Sequence, residues 1–171
     1  MASCSRAAPS SWRPARAGSC RAYPAVTILQ EKGEIKIMVD TRTMKGNKEL
    51  FGGAMPAACL YAQPGLLTKT PNTAQALATA IVRANEWLQT ASPSDVAKSV
   101  PAAYLLGDQA IYEKAFANVR ETISPDGIMP PEGPENCLKF LVEGDPKIDP
   151  KKTNLAETWT NEFAQRAKKH S

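Results

Sequence analysis

The stretch "ELFGGAMPAACLYA", residues 49–62, sets two glycines directly before an apolar run. Three readings compete: a phosphate-cradling loop, a loop that contacts a ligand, or a bend that turns a strand inward. The phosphate loop fails first, because no helix start with lysine and Ser or Thr follows Gly52-Gly53. A dinucleotide fingerprint is weakened because the polar "TRTMKGNKEL", read as a loop, precedes the glycines where a strand is needed. What remains is backbone freedom, as a plain turn or as close approach to something. "AMPAACLYA", residues 54–62, then reads as a buried strand after Pro56.

Upstream, "YPAVTILQEKG" reads as a short helix, with Val26 and Leu29 on one face and Gly33 to end it. "EIKIMVD", residues 34–40, alternates with Ile35, Ile37 and Val39 on one side, the pattern of a strand. Downstream, "TKTPNTAQALATAIVRANEWLQTA" is the clearest helix. Thr70 is placed to cap it, and Pro71 suits its first turn. Ala74, Leu77, Ala78, Ile81, Ala84 and Leu88 form a continuous stripe expected to face the core, with Trp87 beside it. Ser92-Pro93 opens a short helix that Pro101 closes, and Asp108 is placed to cap another carrying Ile111, Ala115 and Val119. "SPDG" and "MPPEGP" are breaks, after which residues 135–142 suit a helix ending at Gly144. "NLAETWTNEFAQRAKK" predicts a last helix opened by Asn154 and Glu157. Two strands near the front and about five helices behind make an α/β protein, and two strands cannot form a satisfactory sheet alone.

The 171 residues suffice for one domain of ordinary size. The net charge of +4 belongs entirely to residues 1–22, where Arg6, Arg13, Arg16 and Arg21 meet no acid. The remainder is neutral and offers no electrostatic footprint for nucleic acid or an anionic membrane. The first 22 residues are rich in Ser, Ala and Arg, a composition that suits a transit peptide, a disordered leader or a foreign N-terminus. They lack the apolar core of a secretory signal. His170 is the single histidine and stands one residue from the end, which removes Ser-His-Asp, Cys-His and histidine-metal chemistry. Four irregularly spaced cysteines match no zinc pattern, and Cys59 and Cys137 read as buried thiols. Asp108, Asp126, Asp145 and Asp149 fall at turns or helix starts, where capping accounts for them. Neither a cofactor nor a metal is expected, and no nucleophile has a visible base, so the residues argue against an enzyme.

The order of "AVTILQEKGEIKIMVDTRT", "LFGGAMPAACLYA", "TPNTAQALATAIVRANEWLQTASPSDVAKSVP", "LLGDQAIYEKAF", "SPDGIMPPEGPENCLKFL" and "LAETWTNEF" resembles the C-terminal half of substrate-binding proteins of ABC transporters, the nitrate/sulfonate/taurine or NMT1/THI5-like class. The pieces span essentially residues 24–168. The resemblance implies part of a two-lobed, type II periplasmic-binding-protein fold that closes on its ligand by a hinge. It divides the chain into a leader (1–22), the end of the second lobe with the return crossing (23–53), and the C-terminal part of the first lobe (54–171). Much of both lobes has no counterpart here, so a truncated copy is expected. The implied partners are a small anionic solute and a membrane permease, and the implied location is the periplasm, although no export signal is present. Phe51, Gly52 and Gly53 would form the bend near the cleft, Met55 would begin the returning segment, and Tyr23 would stand at the cleft before a helix. A pyrimidine-forming enzyme of the same superfamily needs a histidine and a cysteine-rich iron motif that this sequence does not supply. The alternative from another class is a helical interaction module that pairs through unfilled apolar faces and binds no ligand.

Overall fold

The computed structural model describes residues 25–105, 107–145 and 147–168. The chain there is a succession of helices: α1 (Ala25–Glu31), α2 (Met44–Phe51), α3 (Pro64–Lys69), α4 (Pro71–Thr90), α5 (Pro93–Ser99), α6 (Gln109–Val119), α7 (Gly133–Gly144) and α8 (Glu162–Lys168). Short 3-10 turns stand at Ala102–Leu105, Arg120–Thr122, Pro150–Lys152 and Leu155–Glu157.

Local chemistry sets most of the boundaries. Thr43 caps α2 by accepting from the Gly46 N–H at 3.0 Å while its hydroxyl donates to the Asp40 carbonyl at 2.9 Å. Gly52 closes α2 in the left-handed region (φ 80°), its N–H returned to the Lys48 carbonyl. The Ser92 hydroxyl caps α5 by accepting from the Asp95 N–H, and its proton goes to the Asp95 carboxylate. Asp108 caps α6 by accepting from the Ile111 N–H at 3.0 Å. α4 is rich in alanine and begins on Pro71, which suits a helix start because that nitrogen has no hydrogen to satisfy.

The main core lies where α4, α5 and α6 converge. Ala91, Val96 and Phe116 are buried together, with Leu88, Tyr112 and Ile123 packed around them. Arg120 locks the corner. Its guanidinium lies 4.7 Å above the Phe116 ring and donates to the Ala91 carbonyl at the end of α4. α8 packs along α4, with Ala74, Val82 and Ala167 buried and the Gln75 amide donating to the Phe163 carbonyl at 2.9 Å. The turn at Gly127 (φ 69°) fits against this pair so closely that an added Cβ would stand 3.1 Å from a Val82 methyl. Asn161 holds the same loop by pairing both its amide groups with the backbone of Met129. α1 rests on α6, where Glu31 and Lys114 form an ion pair at 2.6 Å.

The α/β expectation is overturned: among the described residues there is no β-strand, and the fold is all-helical. Residues 34–40 are irregular, although Ile35 and Ile37 are half-buried and Glu34 and Lys36 exposed. Residues 54–62 are irregular too, and from 57 onward they are exposed rather than buried. The physical reason is that a strand is held by ladder hydrogen bonds and cross-strand pairs, which neither period-two alternation nor an apolar run supplies by itself. The reverse error falls on residues 41–50, read as a loop, where α2 forms. The expected final helix begins only at Glu162, and Asn154 makes no side-chain cap. Thr70 likewise caps nothing, since its hydroxyl donates back to the Leu66 carbonyl at the end of α3. Cys59 is exposed and Cys137 only half-buried, so the pair of buried thiols is not observed. The leader at 1–22 lies outside the described residues.

Candidate functional site

The residues singled out around the double glycine form one seat. The segment from Phe51 to Pro56 leaves α2 and lies against the first turns of α7. The Phe51 ring meets the Phe140 ring edge-on, with centroids 5.6 Å apart and planes at 85°. The Asn136 amide, from a buried side chain, donates to the Ala54 carbonyl at 3.0 Å. The Cys137 sulfur lies 3.8 Å from the Met55 sulfur and 3.8 Å from the Pro56 carbonyl oxygen.

The two glycines have separate tasks. A Cβ added at Gly52 would meet nothing within 4 Å, so this glycine serves its left-handed turn. Gly53 is needed for close approach: an added Cβ would stand 3.1 Å from the Asn136 nitrogen and 3.2 Å from the Glu132 Cγ. A third glycine completes the seat from α7, because a Cβ on Gly133 would meet Pro56 at 3.1 Å and the Met129 sulfur at 3.2 Å. Phe51, Gly52, Gly53 and Met55 are thus brought together, whereas Tyr23 lies outside the described residues.

Two groups of residues escaped the sequence reading. Asn136, Cys137 and Phe140 recur at helical spacing (i, i+1, i+4) on α7, and that spacing was the available signal. The second group surrounds Arg42. Its guanidinium grips Asp40 with two bonds of 2.7 and 2.6 Å and also reaches Thr27 and Gln30 on α1. Those bonds hold the Asp40 carboxyl below its ordinary value and the guanidinium above its own. Because the cation is spent on its own neighbours, this cluster ties α1 to α2 rather than presenting a charge outward.

The chemistry available at the seat is contact chemistry. It offers an aromatic ring, a thioether and a stretch of closely seated backbone. The Cys137 thiol is pushed up by burial, with the neighbouring Cys59 adding to the effect, so it is held in its unreactive neutral form. Among the described residues, no group of three or more His, Cys, Asp or Glu is gathered to hold a metal ion. No described helix is long and apolar enough to cross a membrane.

A solved structure of a protein from Bordetella bronchiseptica RB50 is similar to this chain. It matches 86% of the chain at 48% identity with a TM-score of 0.82. The matched stretch is 46% of the Bordetella chain, so this protein spans about half the length of that one. No family model and no curated protein matches the sequence.

Proposed function

We propose that this chain serves as part of a solute-binding component of an ABC importer, for small anionic solutes such as a sulfonate, taurine or nitrate. The observation that carries this reading is the seat of Phe51–Met55 on the start of α7. There residues 51–55, turned at Gly52, meet the first turns of α7, with the Phe51 ring and the Met55 thioether alongside. The ordered segments that resemble the nitrate/sulfonate/taurine class support it as well. So does the match to a protein about twice as long, since a cleft needs two walls to exclude water from a ligand. On this reading Phe51, Gly53 and Met55 belong to one wall, the complete binding protein works outside the cytoplasmic membrane, and its closed form docks on the permease.

Calorimetry with taurine, an alkanesulfonate and nitrate tests the proposal. This chain alone binds them weakly or not at all. A chimera in which the chain from residue 25 onward replaces the matching stretch of the Bordetella protein is expected to bind one of them at least about a hundredfold more tightly, ~2.8 kcal/mol. A folded chimera that binds none of the three would refute the reading.

The alternative, a helical interaction module without a ligand, draws support from the large apolar side chains left exposed on α4. Association that grows with protein concentration, together with no thermal response to any of the three solutes, would favour it.

A further inference from the structure

The segment that leaves the seat on α7 carries one cysteine toward another. The Asn136 amide pins the Ala54 carbonyl at 3.0 Å, and that anchor sets Met55 and Pro56 beside the next residue of α7. The Cys137 sulfur is 3.8 Å from the Met55 sulfur and 3.8 Å from the Pro56 carbonyl oxygen. Cys59 follows Pro56 by three residues, a length of chain that spans at most about 11 Å. Residues 57–62 are exposed, and among the described residues their backbone makes no hydrogen bond. The course of this strap is set by its two ends, the seat and α3, so a shift at Cys59 breaks no hydrogen bond. Cys59 is open to a reagent, while Cys137 is half-buried beside Pro56. The Cys59 thiol also lies near enough for its charge to act on Cys137. A disulfide needs the two Cα atoms within about 7 Å, and so short a tether from Pro56 brings that within reach.

We propose that Cys59 and Cys137 are a disulfide-forming pair, a site at which a small-molecule disulfide such as oxidised glutathione ties the 57–62 strap to α7. Exchange begins at the exposed thiol. The Cys59 thiolate attacks one sulfur of the reagent, the reagent's S–S bond breaks, and one glutathione thiolate leaves. Cys59 then carries the other half as a mixed disulfide. Cys137 loses its proton to solvent and attacks the Cys59 sulfur, the protein S–S bond forms, and the second glutathione thiolate leaves. The protein has lost two electrons and two protons, and the reagent has become two thiols. Burial keeps most of Cys137 protonated, and its fixed place beside the strap offsets the small thiolate fraction. The inference stands apart from solute binding, because the exchange needs only these two cysteines and the reagent.

Incubating the chain with oxidised glutathione and mapping its tryptic peptides tests the proposal. The expected product joins the peptide 49–69, which holds Cys59, to the peptide 121–139, which holds Cys137. Its yield from the folded chain is expected to be at least about fivefold higher than from chain unfolded in urea, where Cys4 and Cys20 compete for the same partners. The bond closes a loop of about 80 residues, so it is expected to raise the melting temperature by about 5 °C or more, and dithiothreitol reverses the rise. In Cys137→Ser, Cys59 keeps its glutathione; loss of glutathione there would show that another thiol resolves it and would overturn the assignment. In the unsubstituted chain, a mixed disulfide that persists on Cys59, a link from Cys59 to Cys4 or Cys20, or equal yields from folded and unfolded protein overturns it as well. So does a linked chain that melts no higher than the reduced one, since the fold would then distort to reach the bond.

Discussion

The corner around Phe116 and the stretch at 54–62 are both apolar, and only one of them is packed. Phe116 is 4% exposed, wedged among Ala91, Val96, Leu88 and Tyr112 with a guanidinium over its ring. Tyr61 is 75% exposed, and Leu60 beside it is more than half exposed. Hydrophobicity is therefore not a sufficient condition for burial. What separates the two is the supply of neighbours. Each helix around Phe116 brings its own backbone hydrogen bonds, and α5 and α6 bring side-chain caps as well, so their side chains need only meet. The 54–62 stretch is seated on α7 at its start and runs into α3 at its end, and residues 57–62 between them are exposed to water.

The sharpest way to break that contrast is truncation on each side. Phe116→Ala is expected to cost about 3–5 kcal/mol, from lost transfer energy and a cavity that the surrounding helices cannot fill. Tyr61→Ala is expected to change stability by no more than about 0.5 kcal/mol. Urea unfolding followed by circular dichroism measures both. A comparable loss from Tyr61→Ala would mean that the exposed stretch is packed in solution and that the contrast is false.

Glycines sharpen the comparison on a finer scale. In α2 a Cβ on Gly46 would fall 2.0 Å from the Asp40 carbonyl oxygen, far inside van der Waals contact. Gly46→Ala is therefore expected to destabilise by about 1–3 kcal/mol through forced backbone movement. That outcome opposes intrinsic propensity, which favours alanine over glycine in a helix by about 1 kcal/mol. Gly144, at the end of α7, has nothing within 4 Å of the same position, and alanine there is expected to be neutral or stabilising by a few tenths of a kcal/mol, up to about 1. A neutral Gly46→Ala in thermal melts would show that the Asp40 carbonyl is free to move, and with it the junction of α1 and α2.

These positions also explain what the sequence could and could not reveal. Capped, alanine-rich or strongly periodic helices were readable: Asp108, Ser92 and Pro71 each announce a start that the structure confirms. α2 was hidden because its interior holds Gly46 and Asn47, poor helix formers on their own. They are there for contacts outside the helix. Gly46 admits the Asp40 carbonyl, and the Asn47 amide donates to the Thr41 and Thr43 carbonyls. The 34–40 strand was misread from alternation and the 54–62 strand from an apolar run, and neither pattern records whether a second backbone stands alongside. α4 was half legible: of its expected core stripe Ala74 and Leu88 are packed, Leu77, Ile81 and Ala84 are exposed, and the buried face is shifted toward Val82, Gln75 and Gln89. At the candidate site the double glycine was visible at once, but its counterpart on α7 was not. Asn136 and Gly133 matter only once the chain has brought 51–56 to them, and sequence spacing does not encode that meeting.

The smallest expected effect concerns the link between the irregular 34–40 segment and the helical body. Arg42 grips Asp40 through two charge-assisted hydrogen bonds, and those bonds lower the Asp40 pKa from its usual 3.8. A carboxyl depressed in the folded state contributes stability at every pH above its unfolded value. That contribution is lost as the pH falls through the lower folded value. Asp40→Asn is therefore expected to lower the urea midpoint at pH 7 and to converge with the unsubstituted chain as the pH falls from about 4 through the lower folded value, below which both lack the charge. Because the Asp40 side chain is 34% exposed, solvent screening keeps the difference under about 1 kcal/mol. A deficit in Asp40→Asn that persisted undiminished at pH 2.5 would point away from the charge. The Asp40 carbonyl, held between the Thr43 hydroxyl and Gly46, would then be what fixes this segment to α2.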